Sequence, residues 1–230
     1  MGYVEMVNGN LIVFEGIDGS GKSTQFNMLC ERFEKEARDF RRIRFPRYDK
    51  PSSALIKMYL GGELGDNPDI INAYAASSFY AVDRYASFMQ DWRGYYESGD
   101  LILTDRYTTS NAIHQGAKFS DDELGSFLEW LYNYEFDLLG LPRPDLVIYM
   151  NISADIVARR LLSRQHDTGT SRDIHEKDAD YLRRCSILGK QAADFYNWHC
   201  VDCVKDGKEL SVEELHETVY GIVLGHLNQS

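Results

Sequence analysis

What this chain has little of limits it first. No apolar run approaches the roughly 18 residues that span a bilayer, so no membrane partner is expected. Positive charge is short: 25 Lys and Arg stand against 36 Asp and Glu, a net charge of -11. A nucleic-acid surface normally needs a basic face, so no nucleic-acid partner is expected either. Small phosphorylated ligands stay open, because a few converging arginines override the global sign. There is no repeat, low-complexity tract or Pro/Ser-rich linker, and 43% of the 230 residues are hydrophobic, so one domain over residues 1–230 is the simplest reading.

The start, MGYVEMVNGN, lacks the basic residues and apolar run of a secretory leader, and Met6 stands where a myristoylation signal wants a hydroxyl. Cysteine is sparse, with four in the chain. Cys30 and Cys185 fall in helical patterns and are expected in the core. Cys200 and Cys203 are three apart in a segment that reads as a strand, so they point to opposite faces and suit neither metal nor redox chemistry. A reducing, cytoplasmic setting fits this usage, and there the sequon Asn151-Ile152-Ser153 is inert.

What is present is a βα alternation. Leu11–Phe14, Ile43–Phe45, Leu101–Thr104, Leu146–Met150 and Cys200–Val204 read as five strands, mostly buried on both faces. Between them, Phe26, Leu29, Cys30 and Phe33 repeat at helical spacing, and Ser120–Glu123 and Ser211–Glu214 are capping boxes opening two further helices. The expectation is a three-layer α/β/α fold with a parallel sheet, its ligands beyond the carboxyl ends of the strands.

Gly16-Ile17-Asp18-Gly19-Ser20-Gly21-Lys22-Ser23 fits G-x-x-x-x-G-K-[ST], with Thr24 continuing into a helix. Glycines let the backbone wrap an anion, and the helix start adds its positive end. Lys22 then reaches the outer phosphates of a nucleoside triphosphate, and Ser23 is positioned to ligate Mg²⁺. No N/T-K-x-D guanine reader occurs, which argues against a regulatory GTPase.

Three clusters offer a second substrate its contacts. Arg47, after Phe45 and Pro46, has a guanidinium fork suited to phosphate. Tyr80 and Arg84 are four apart and share a helix face, a ring to stack a base and a guanidinium to meet its edge. Asp105 and Arg106 end the third strand, where a metal-side acid and a phosphate-neutralising arginine belong.

Together the phosphate loop, FPRY, DRY and PDLVIYMNIS resemble the thymidylate kinases, P-loop enzymes converting dTMP to dTDP with ATP, over nearly the whole chain. The resemblance implies that Arg47 binds the acceptor phosphate, Tyr80 stacks on thymine and Arg84 meets its carbonyl edge. It makes Ser110 and Asn111 further base readers, Asp105 the sugar- and magnesium-side acid, and Arg106 the arginine bridging the phosphates. His114 stands where relatives commonly place tyrosine or phenylalanine beside the sugar, a departure that bears on selection of deoxyribose over ribose. Asp18 is expected to support the metal or its waters, alongside Ser23 and Asp105. A homodimer is implied as well.

A polar stretch at about 163–173, after the fourth strand, reads as a mobile lid flanked by Arg164 and Arg172. Gly19 occupies the loop position where some members of the family carry arginine, so the lid is expected to supply the catalytic cation. Arg159 and Arg160 read as surface residues. The alternative function is another nucleoside monophosphate kinase or a deoxynucleoside kinase; Glu15, at the end of the first strand, would be the base that the latter requires.

Overall fold

The computed structural model describes residues 9–65, 67, 69–159 and 179–229. Five strands form one sheet: β1 (Asn10–Glu15), β2 (Arg41–Arg44), β3 (Leu101–Asp105), β4 (Leu146–Asn151) and β5 (His199–Asp202). Their order is β2-β3-β1-β4-β5, and every neighbouring pair is parallel. The three inner strands are the apolar runs expected of strands covered on both faces. β2 is an edge strand carrying Arg41, Arg42 and Arg44, charges that discourage further pairing.

Helix α1 (Lys22–Lys35) buries Phe26, Leu29, Cys30 and Phe33, and packs on β1, β3 and the last helix. After β2 come α2 (Ala54–Leu60) and α3 (Ala73–Ser87), the latter running through a π-helical turn, Phe88–Trp92, into α4 (Arg93–Glu97). β3 leads to α5 (Thr108–His114) and α6 (Asp121–Tyr132), opened by the Ser120–Glu123 capping box and followed by a second π-helical segment, Asn133–Leu138. Residues 154–159 are helical. Then α7 (Ala179–Phe195) packs against α5 and β4, and α8 (Val212–Leu227) starts at the Ser211–Glu214 box.

Two strand boundaries differ from the sequence reading. β2 lies at Arg41–Arg44 rather than 43–45, although the Phe45 amide still donates to the Asp105 carbonyl before Pro46 ends the ladder. β5 stops at Asp202; Val204–Lys205 turns back on Lys208–Glu209 through Asp206 and Gly207, both at positive φ (52° and 74°). Cys203 is therefore off the strand. It is buried, and all four cysteines are free thiols. No helix among the described residues is long and apolar enough to cross a membrane.

Candidate active site

The loop from β1 to α1 takes its shape from glycine. Gly16, Gly19 and Gly21 have φ of 152°, 83° and 93°, and a Cβ on Gly16 would sit 2.6 Å from Ser20 Oγ. The loop from Ile17 to Gln25, with Leu210, Val212 and Leu215, lines a cavity of about 440 Å³. Lys22 is buried and donates from Nζ to Asp105 Oδ1 at 2.6 Å, while Ser23 Oγ donates to Oδ2 of the same carboxylate at 2.9 Å. Arg44 Nε is 3.1 Å from that oxygen. Burial, reinforced by Arg106, lowers the Lys22 pKa, and the Asp105 carboxylate opposes the shift. Burial alone would raise Asp105, but the Lys22 ammonium outweighs it and holds the carboxyl below its usual range.

A second cavity, of about 220 Å³, opens on the other side of the loop. Asp18 lines both cavities. At this junction Arg106 sits at φ 72°, an uncommon conformation for a side-chain-bearing residue, with its amide donating to the Phe14 carbonyl at 3.0 Å. Its guanidinium pairs with Asp18 through Nη2 and with Glu15 through Nη1 at 3.2 Å, and Nη1 also donates to Ser110 Oγ at 3.1 Å. Burial would raise the Asp18 carboxyl, yet Arg106 holds it well below the carboxylate range.

Glu15 is fully buried and accepts from the Gly16 amide (2.8 Å), Thr109 Oγ1 (2.7 Å) and Ser110 Oγ (2.7 Å) besides Arg106. It anchors Arg106 and lines neither cavity, which disfavours it as the base that a deoxynucleoside kinase would need.

The wall of the second cavity brings together Phe45, Tyr80, Arg84, Ser110, Asn111 and His114, residues that the sequence reading assigned to the acceptor. Arg84 is pinned by Glu135, with Nε donating to Oε2 at 2.6 Å and Nη2 to Oε1 at 2.5 Å. His114 Nε2 lies 3.4 Å from Arg106 Nη1, and its Nδ1 lies 3.7 Å from Cys185 Sγ. Burial, then Arg106, pulls the imidazole down to about 4, so it is neutral at pH 7.

Two residues expected at the acceptor do not line this cavity. Arg47 does not line this cavity: its guanidinium turns to Asp83 (Nε to Oδ1, 3.3 Å), to Asp91 and to Ser52 Oγ (3.1 Å). The buried Asp83 carboxylate also accepts the Arg47 amide at 2.8 Å, so backbone and side chain of Arg47 are both held by Asp83. Asp105 likewise pairs with Lys22 and Ser23 at the start of α1 and does not line the second cavity.

Sequence reasoning missed three residues. Tyr48, the neighbour of Arg47 in the chain, lines the cavity. Gln115 also lines the cavity, fully buried, with both amide atoms lacking hydrogen-bond partners. Its position four residues after Asn111, on one helix face, was the available signal. Glu135 had none, being one acid in an aromatic run.

Among the described residues, no group of three or more acidic, His or Cys side chains could hold a metal ion alone. Ser23 and Asp105 offer adjacent hard oxygens, a partial set that suits Mg²⁺ shared with phosphates. Asp18 is committed to Arg106 instead. Arg159 Nη2 faces Glu209 at 3.9 Å on the surface, whereas Arg160, Arg164, Arg172 and the lid lie outside the described residues.

Comparison with known proteins follows the same lines. The sequence pattern of the thymidylate kinase family matches residues 14–218. Thymidylate kinase of Mycobacterium tuberculosis (strain ATCC 25618 / H37Rv) is 35% identical over 185 residues, covering 80% of this chain and 85% of that protein. Thymidylate kinase of Danio rerio is 25% identical over 214 residues, covering 92% and 88%. Among solved structures, thymidylate kinase from Candida albicans shares the fold with a TM-score of 0.70 at 22% identity, over 97% of this chain and 94% of that one. With a phosphate loop and an arginine-lined second cavity meeting at one carboxylate, this chain belongs to the thymidylate kinase family.

Proposed function

We propose that the chain transfers the γ-phosphoryl group of ATP to the 5′-phosphate of dTMP, giving dTDP. The observation that carries this reading is Asp18, which lines the phosphate-loop cavity and the acceptor cavity at once, with Arg106 paired to it. Two nucleotides in these cavities meet phosphate to phosphate. The acceptor phosphate is already an anionic nucleophile, so no general base is required. The task is to align two polyanions and offset their repulsion.

Each cation then has a place. Lys22 exchanges Asp105 for the outer phosphates of ATP, and the Arg106 fork, held by Glu15 and Ser110, faces the transferring group. Bound Mg²⁺, held by Ser23 with Asp105, would neutralise phosphate charge. Arg164 and Arg172, of which one is expected to add a further cation, lie outside the described residues. On the acceptor side, Phe45 and Tyr80 flank the base, Arg84 donates to its carbonyl edge, and Asn111 and Gln115 supply amides.

The chain works as a homodimer in the cytoplasm. The dimer face is the exposed side of α3 and its π-helical extension, where Val82, Tyr85 and Met89 are 52%, 41% and 45% exposed at i, i+3 and i+7. Sedimentation should give twice the 26.4 kDa chain mass. The decisive assay supplies ATP and Mg²⁺ with dTMP, dUMP, UMP, dCMP, AMP or thymidine and identifies products by mass. dTMP should have the highest kcat/KM; best turnover on thymidine overturns the reading.

A further inference from the structure

Glu135 is fully buried, lies outside both cavities, and takes no part in the transfer described above. It sits in the π-helical segment Asn133–Leu138, a local irregularity frequent at functional sites. Its two oxygens collect four donors from three residues on two elements, α3 and α5. Oε1 accepts from Arg84 Nη2 (2.5 Å) and Asn111 Nδ2 (3.3 Å), and Oε2 from Arg84 Nε (2.6 Å) and Thr108 Oγ1 (2.8 Å).

This carboxylate decides what the acceptor wall presents. Asn111 Nδ2 donates to Glu135 and to the Ser77 carbonyl at 3.2 Å. Flipping the amide would set its oxygen against two acceptors, so the nitrogen is fixed inward and Oδ1 is the atom offered to the cavity. Arg84 is fixed in the same way. With Nε and Nη2 on Glu135 and Nη1 donating to the Tyr107 carbonyl at 3.2 Å, only its remaining N–H groups can face a ligand. The wall therefore shows an acceptor at Asn111 beside a donor at Arg84.

We propose that Glu135 is the positioning residue that makes this cavity select pyrimidines with an imide edge, an N3–H donor beside an O4 acceptor, over aminopyrimidines. The inference rests on the acceptor assignment proposed above. A cytosine edge presents the reverse pattern, so its N3 lone pair meets Asn111 Oδ1 and its amine meets Arg84. Buried polar groups left facing their own kind give strong discrimination, on the order of a hundredfold or more.

The test compares dTMP with 5-methyl-dCMP, which have the same shape and differ only at that edge, in wild type and Glu135→Gln, with ATP and Mg²⁺. Wild type should favour dTMP by about a hundredfold or more in kcat/KM. Glu135→Gln, whose amide allows Asn111 to turn, should lower that ratio at least about tenfold, mainly through the KM for dTMP, with the KM for ATP changed less than about twofold. A purely structural role would depress both acceptors alike. Should Glu135→Gln not fold, Thr108→Val removes one donor to Glu135 without touching the cavity wall, and should lower the ratio about threefold. An unchanged ratio in the variant that folds, or equal use of both acceptors by wild type, overturns the proposal. Absence of turnover with dTMP instead defeats the underlying function.

Discussion

At the residue scale, the site is a set of charges that satisfy one another until substrates replace their partners. Lys22 and Asp105 neutralise each other beside the phosphate loop, with side chains only 6% and 3% exposed. Lys22→Met should therefore do two things. Transfer should fall by about 10³-fold or more, because the outer phosphates lose their cation. Stability should fall by about 1–3 kcal/mol, because Asp105 keeps only Ser23 and Arg44. Assay and thermal melt on one preparation check both, and near-normal turnover refutes the phosphate-loop assignment. Arg106 is less replaceable than its charge suggests. Its planar fork reaches Glu15, Asp18 and Ser110 together, which an ammonium does not. Arg106→Lys should cost about 10²-fold in kcat; a loss below about threefold would show that charge alone suffices.

At the element scale, positions set by periodicity and turn chemistry were legible in the sequence. The three inner apolar strands, the two capping boxes and the glycine loop follow from local rules and stand where those rules put them, whereas the outer strands β2 and β5 are shifted by one or two residues. Arg47 was not legible, because nothing in FPRY says that Asp83 and Asp91, on another element, would take its guanidinium. Glu135 was hidden for the same reason: its partners come from α3 and α5 and meet only in the folded chain. Packing of α7 on β4 belongs to this class too. Gly189 lets the helix approach Tyr149 so closely that a Cβ would lie 2.1 Å from the Tyr149 hydroxyl. That hydroxyl is buried and lacks a hydrogen-bond partner. Gly189→Ala should thus cost about 1–3 kcal/mol by overpacking, whereas Tyr149→Phe should be neutral or stabilising by up to about 1 kcal/mol. In the double variant part of the loss should be recovered, since the colliding oxygen is gone. Denaturant melts of the four proteins measure the coupling, and strict additivity would mean that the two residues do not meet.

At the scale of the whole molecule, the polar centre makes stability depend on pH in a specific window. His114 is held down to about 4 by burial and Arg106, against an ordinary value of 6.5. Between those values the unfolded chain binds a proton that the folded chain refuses, so stability falls as pH drops through the window. The complete loss is at most about 3 kcal/mol, reached near pH 4. Asp18 and Asp105, both depressed, act later: their contribution is retained above the ordinary carboxylate value of 3.8 and is lost only below it. His216, also lowered by burial, adds to the slope in the same sense as His114. A comparison with His114→Gln isolates the active-site share, because the variant keeps His216 and both carboxylates. From about pH 7 to 5 the wild-type Tm should fall more steeply than that of the variant, by a few degrees for each kcal/mol involved. Parallel curves would mean that His114 already carries its proton in the fold. A cationic imidazole beside Arg106 would then add to the charge that receives the two nucleotides, and the division of labour drawn here between one arginine and a neutral ring would have to be abandoned.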